Sequence, residues 1–319
     1  MKPIRLCCLS LMLAAILPLT ADAQTLTAAD AILRIQRHYA ATLPSDTVDT
    51  IKAGDPSTPV TGIAVTFLAT MEVLREASQR GLNLLITHEP TFYNHLDHAD
   101  FFVEDPVDLE KLAFIHHHHL AVFRFHDQMH SLSPDPVAVG LVQALGWQSY
   151  MDAGSPWQLT IPRTTLLDLS RELAKKLNAQ SLRVVGNPDL QVTHVALRPG
   201  AVGTQKQGLA LRSDEVEVLL AGEVPEWETV EYVRDASAQG RHKALILLGH
   251  EVSEEPGMKK CADDLRALFP NLPVALVPAG QPAWSPDHPP SVRNSLLNES
   301  PTANPEPQDG QTPRVSAVD

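Results

Sequence analysis

The spacing of apolar residues changes period repeatedly along this chain. Residues 62–67 (GIAVTF) form a short apolar run, which predicts a buried strand. Residues 70–80 (TMEVLREASQR) switch to helical spacing, with Thr70 as the cap and Gly81 as the stop. Residues 84–87 (LLIT) return to a strand. Strand, helix and strand in so short a stretch predict a βαβ unit, with parallel strands and a right-handed crossover.

The alternation continues. Residues 107–118 are predicted helical, 121–125 (AVFRF) a strand, and 136–145 a helix capped by Asp135 and opened by Pro136. Strands at 157–161 and 182–185 flank a helix at 165–177. Strands near 191–197 and 216–221 follow, then a helix at 226–239, the strand 244–248 (ALILL), a helix from about 254 to 268 and the strand 273–277 (PVALV). The expected fold class is α/β, with largely parallel sheets flanked by helices. Strand order is not readable from this pattern.

Both ends depart from it. Lys2 and Arg5 precede an apolar stretch at 6–19, and Ala21-Asp22-Ala23 reads as a cleavage site before Gln24. Residues 1–23 are therefore expected to be a secretory signal, too short to span a membrane, and the mature protein to be periplasmic or secreted. Residues 281–319 hold eight prolines among polar neighbours and are expected to be a disordered tail. Residues 24–280 suit one large domain or two small ones.

The formal net charge is −13, and loss of Lys2, Arg5 and Asp22 would make it −14. Nucleic acid and anionic membrane surfaces demand clustered Lys and Arg, so neither is an expected partner. Cys261 alone would survive cleavage, so no intramolecular disulfide holds the mature chain, and Cys261 itself reads as helix packing. Neither a G-x-S-x-G elbow nor a phosphate loop is present, since Gly203 to Gly208 lacks the Lys and the hydroxyl.

The chemistry sits at strand ends. "LLITHEPTFYNH" closes an apolar run with His88, Glu89 and Pro90. "FRFHDQMHS" ends another with His126, Asp127 and His130, the two histidines at helical i, i+4 spacing. "LILLGHEVSE" ends a third with His250, and Glu254 follows at i+4. Ligands of parallel α/β sheets bind beyond the carboxyl ends of strands. The set His88, Glu89, His126, His130, His250 and Glu254 exceeds what one zinc needs and suits two divalent ions. Nitrogen and oxygen donors without thiolate favour Zn, Mn, Fe, Co or Ni. His116 to His119 end a predicted helix, where cations complement the dipole, and four consecutive side chains cannot all converge.

These motifs resemble the Nif-three-like family, also called GTP cyclohydrolase 1 type 2 homologues. T-H-E-P at 87–90 stands for the family's T-H-H-P, H-D-Q-M-H at 126–130 for H-T-N-L-D, and G-H-E-V-S-E-E-P-G at 249–257 for the final motif. "ALGW" at 144–147 and "VVGNPDLQVTHVAL" at 184–197 are also similar. The resemblance covers most of residues 30 to 280 and implies a Nif-three-like fold assembled as a hexamer. It implies the same six residues as ligands of two metal ions. Glu89 stands where the family has His, and His130 where it has Asp, which leaves Asp127 open as a replacement bridging group. Trp227 stands where the family carries a further His. Glu223 either orients a ligand or water, or caps the following helix.

Two functions follow. One is a metal-dependent hydrolase of an unknown small molecule, with Glu89, Asp127 or Glu251 accepting the proton. The family label implies ring opening of GTP, which an exported protein would seldom meet. The other is a metal-binding or metal-handling protein without turnover.

Overall fold

The computed structural model describes residues 25–40, 43–97, 100–102 and 104–286. The expected signal segment, and the expected tail beyond Pro286, lie outside the described residues. The chain divides into two compact units. One holds the described residues up to Leu132 together with Cys261–Val277, and the other holds Ser133–Lys260 together with residues 278–286.

The first unit contains α1 (Ala28–Tyr39), β1 (Ile51–Ala53), β2 (Ile63–Thr66), α2 (Met71–Gln79), β3 (Leu84–Thr87), α3 (Pro106–His117), β4 (Ala121–Arg124) and α4 (Asp127–His130). The second contains α5 (Pro136–Leu145), β5 (Met151–Asp152), β6 (Ser155–Thr165), α6 (Leu166–Leu177), β7 (Arg183–Val185), β8 (Gln191–Arg198), α7 (Thr204–Leu211), β9 (Val218–Ala221), α8 (Glu231–Ala238) and β10 (Ala244–Leu247). Helix α9 (His250–Leu268) runs from the second unit into the first, where β11 (Val274–Leu276) follows.

In the first unit the sheet order is β1-β4-β3-β2-β11, with β1 antiparallel and the other four strands parallel. Strands β2, β3 and β4 are buried along their whole length. Covered on both faces, they read as apolar runs and not as alternations. Thr66, Thr87 and Arg124 pair in one row, so these strands end together at one carboxyl edge. The predicted caps hold: the Thr70 side chain accepts from Val73 N, and Asp135 accepts from Val137 N at the head of α5.

The second unit is less parallel than expected. Its order is β5-β6-β8-β9-β10-β7, with only β8, β9 and β10 running parallel, while β5, β6 and β7 pair antiparallel. The three parallel strands form its centre. Leu197, Leu220 and Ile246 pack with Leu141, Leu169 and Leu173 on one face, and Leu219, Leu245 and Leu247 pack with Leu211 and Val233 on the other. Arg198, Ala221 and Leu247 again share a row. Helices α5 and α9 meet where both carry glycine: a Cβ on Gly140 would stand 2.6 Å from Gly257 Cα.

Several elements differ from the sequence reading. Helix α9 starts at His250 and not near 254, because the Gly249 turn (φ 98°) lets the helix begin at once. The helix expected at 226–239 opens with a π turn at Glu226–Val230 before α8. Helix α1 was not anticipated, although Thr27 and Asp30 form a reciprocal capping box at its start. None of the described helices is long and apolar enough to cross a membrane.

Candidate metal centre

His88 follows β3 directly. The His88 and Glu89 amides both donate to the Phe67 carbonyl, at 3.1 and 2.9 Å, which turns the chain away from the sheet. The His88 ring is fully buried, with Nδ1 3.2 Å from the Phe125 carbonyl. Only a protonated Nδ1 can donate there, and in the neutral ring this places the basic lone pair on Nε2.

His126 precedes and His130 ends α4, which is a single turn, as their spacing predicts. The His130 amide bonds to the His126 carbonyl at 3.1 Å. One isolated turn does not hold itself. Asp49, seventy-seven residues upstream of His126, supplies the missing cap: its carboxylate accepts the amides of His126, Asp127 and Gln128 at 2.8, 2.8 and 2.9 Å. Burial raises the Asp49 pKa against these bonds.

The three rings converge. Centroid separations are 4.8 Å for His88–His126, 4.9 Å for His88–His130 and 4.7 Å for His126–His130. One ring nitrogen from each lies within 4.8 Å of the others. Burial, then the neighbouring His88, pushes the His126 pKa down to about 4, although Asp127 works in the opposite direction. At neutral pH His126 is therefore an uncharged ring that can donate a lone pair to a metal ion.

Asp127 is not placed to bridge two ions. Oδ1 lies 2.9 Å from His126 Nδ1, and Oδ2 accepts from Thr47 Oγ1 at 2.9 Å and Val48 N at 3.0 Å. Burial alone would raise its pKa, but the hydrogen bonds from His126, Val48 and Thr47 hold it below the usual value. A carboxylate on the distal nitrogen of a ligating histidine fixes the tautomer and aims the ring.

Glu89 divides its oxygens. Oε1 stands 3.7 Å from His126 Nε2, and Oε2 accepts from Arg124 at 3.2 Å. Arg124 is fully buried at the end of β4. It also donates to the His88 carbonyl at 3.1 Å, to the His95 carbonyl, and to Asp97 at 3.3 Å. Asp97 in turn accepts the amides of Thr91 and Phe92. One guanidinium thus fixes the whole loop that follows His88. This loop brings the exposed His95 ring to within 5.8 Å of the His126 ring, centroid to centroid.

The second unit has its own cluster. His250 and Glu254 occupy the first turns of α9, with Nε2 3.1 Å from Oε2. That is roughly the spacing of neighbouring donors on one ion with bonds of about 2.0–2.2 Å. Nδ1 of His250 lies 3.5 Å from Oε2 of the exposed Glu223. Glu254 is buried against Gly200, where a Cβ would stand 2.0 Å from Oε1. Ser253 Oγ accepts the Gly200 amide at 2.9 Å and donates to the His250 carbonyl at 2.7 Å.

Glu251, one position along α9, turns elsewhere. Burial, then the adjacent Glu255, pushes its pKa up to about 8. At neutral pH it is mostly protonated and tied to Glu255, not to His250. His116 to His119 stay exposed at the end of α3, where His118 stacks on Phe114 and meets Ser78 Oγ at 2.9 Å. Cys261 is buried, as expected of packing.

Sequence reasoning passed over Arg124, Asp49 and His95. Arg124 carried a signal, being a charge within an otherwise apolar strand. Asp49 carried none, because its partners are distant in sequence.

The donor set therefore fits divalent metal: neutral imidazoles, nearby carboxylates and no thiolate. Several solved structures share the fold. A Bacillus cereus protein related to NIF3 matches with a TM-score of 0.63 at 14% identity, covering 81% of this chain and 98% of that one. The ybgI protein, of unknown function, matches at 0.63 and 19%, covering 81% and 100%. Staphylococcus aureus protein SA1388 matches at 0.62 and 18%, covering 81% and 98%. No curated protein matches the sequence. Residues 35–281 match Duf34/NIF3 (NGG1p interacting factor 3), a span running from α1 to beyond β11 and taking in every residue of both clusters: the chain belongs to the Duf34/NIF3 family.

Proposed function

We propose that this is an exported metalloprotein that binds two divalent ions per chain and hydrolyses a small molecule. The observation that carries the reading is the convergence of His88, His126 and His130, with centroids 4.7 to 4.9 Å apart on the carboxyl edge of a parallel sheet. The chain's membership of the Duf34/NIF3 family supports it. His88, Glu89, His126 and His130 would hold metal in the first unit, and His250 and Glu254 would hold metal in the second. Such ions supply Lewis acidity and lower the pKa of a bound water.

The chain's own contribution is positioning and proton handling. Asp127 keeps a proton on His126 Nδ1, and the Phe125 carbonyl does the same for His88, so both rings offer Nε2. Arg124 holds Oε2 of Glu89, so Oε1 is the oxygen that faces the cluster; it would accept a proton from a reacting group only in a state in which it does not ligate metal. Asp127 is committed to His126 and Glu251 to Glu255, so neither of these expected bases takes that role.

The commitment of Asp127 also favours the second reading, a metal-handling protein without turnover. Purified protein free of a histidine tag, loaded with Zn or Mn and offered phosphoesters, amidines and cyclic amides, separates the two. Turnover that is lost in His88→Ala supports the hydrolase. Full metal loading without turnover of any of these supports metal handling. Export and a hexameric assembly remain part of the proposal and rest on the leader-like residues 1–23 and on family resemblance.

A further inference from the structure

We infer that His95 is a metal ligand of the first cluster, supplying beside His126 the imidazole that position 89 does not. This rests on the metal-centre reading above and extends it to a residue outside the six strand-end ligands.

The loop bearing His95 is built, not loose. The buried Arg124 guanidinium donates to the His95 carbonyl and to Asp97 Oδ2 at 3.3 Å. Asp97 holds the Thr91 and Phe92 amides, pairs with Lys52 at 3.4 Å, and donates its own amide to the Asn94 carbonyl at 3.0 Å. The His95 ring is exposed and lies 5.8 Å from the His126 ring, centroid to centroid, at 77°.

That distance has a meaning. With metal–nitrogen bonds of about 2.1 Å, two imidazoles sharing an ion stand roughly 4.5 to 6.4 Å apart, centroid to centroid, as the angle between them opens from right angle to straight. The His95–His126 separation falls inside that span, as do the three separations within the cluster.

The same arginine links the two features. It takes Oε2 of Glu89 at 3.2 Å, so that carboxylate is shared between a cation and the cluster. Through the His95 carbonyl, it also sets the backbone of a residue that adds a neutral nitrogen donor. Glu89 and Arg124 offset each other in charge, and His95 restores a donor without altering that balance.

Zinc affinity by chelator competition, the cobalt(II) absorption spectrum and the X-ray absorption imidazole count of the zinc-loaded full chain test this in wild type, His95→Ala and His88→Ala. His95→Ala is expected to weaken one bound zinc by about 10–100-fold, to lower the imidazole count and to shift the cobalt bands. Its metal-free melting temperature should stay at the wild-type value, because the ring is exposed. Unchanged affinity and spectra in His95→Ala, with His88→Ala impaired, would overturn the role of His95 and leave the metal centre standing. A wild type that takes up neither zinc nor cobalt would overturn both.

Discussion

Asp127 Oδ1 lies 2.9 Å from Nδ1 of the adjoining His126, and the other Asp127 oxygen is held by Thr47 and Val48. The carboxylate is an aiming device for the ring beside it. Asp127→Asn can present its amide N–H to Nδ1 and so select the tautomer with the proton on Nε2, the atom that should meet metal. Zinc affinity is expected to fall by about 10–100-fold, with little change in fold. Chelator competition measures it, and an affinity equal to wild type would make Asp127 a structural residue only.

Arg124 has no exposed surface, and its partners Glu89 and Asp97 are largely buried. Replacing it with Met removes the cation beside Glu89, while Asp97 keeps Lys52 and two amides; breaking a buried pair in this way costs about 3–5 kcal/mol. Urea unfolding should show that loss. Arg124→Lys should recover only part of it, because an ammonium cannot span the four acceptors that the guanidinium reaches.

Gly200 and Gly140 make a matched pair of tests within the second unit. A Cβ at Gly200 (φ 67°) would stand 2.0 Å from Glu254 Oε1, so Gly200→Ala should displace that ligand and lower metal content as well as stability. At Gly140 the obstruction is helix backbone, 2.6 Å away. Gly140→Ala should cost about 1–3 kcal/mol by overpacking while metal content per folded chain is kept. Elemental analysis alongside denaturation distinguishes them, and equal metal loss in both would detach Gly200 from the site.

Lys111 provides a pH signature away from the ligands. Its ammonium donates to the Thr91 carbonyl at 2.6 Å and lies against the Phe92 and Tyr93 rings. Burial pushes its pKa down from 10.5 to about 8, against the pull of Asp97. Between those values the unfolded chain binds more protons than the folded one, so stability rises with pH across that window and the gain is absent below it. The gain is on the order of 3 kcal/mol. Comparing unfolding free energies at pH 7.5 and pH 10 for wild type and Lys111→Met checks this: the rise due to Lys111 should vanish in the variant.

The contrast between what was legible and what was not follows sequence distance. His88, His126 and His250 were visible because each ends an apolar run, and burial of both sheet faces makes such runs conspicuous. The i, i+4 pairs His126–His130 and His250–Glu254 were visible because a helical turn is local. Asp49 and Arg124 act across folded space on residues far along the chain, which no periodicity records. The antiparallel pairing of β6 with β8 was hidden for a related reason, since a strand's own residues do not specify its partner's direction. Helix α1 was legible in principle, from Ala28, Ala31, Ile32 and Ile35 at helical spacing behind a Thr27–Asp30 box.

The central claim is that the converging histidines are a metal centre, and elemental analysis of untagged, full-length protein tests it most directly. After incubation with Zn, Mn, Fe, Co or Ni and exhaustive dialysis, wild type should retain about two ions per chain. His88→Ala and His126→Ala should retain fewer while keeping the wild-type circular dichroism. A wild type that retains no stoichiometric metal under any of these ions, or variants that retain as much as wild type, would contradict it.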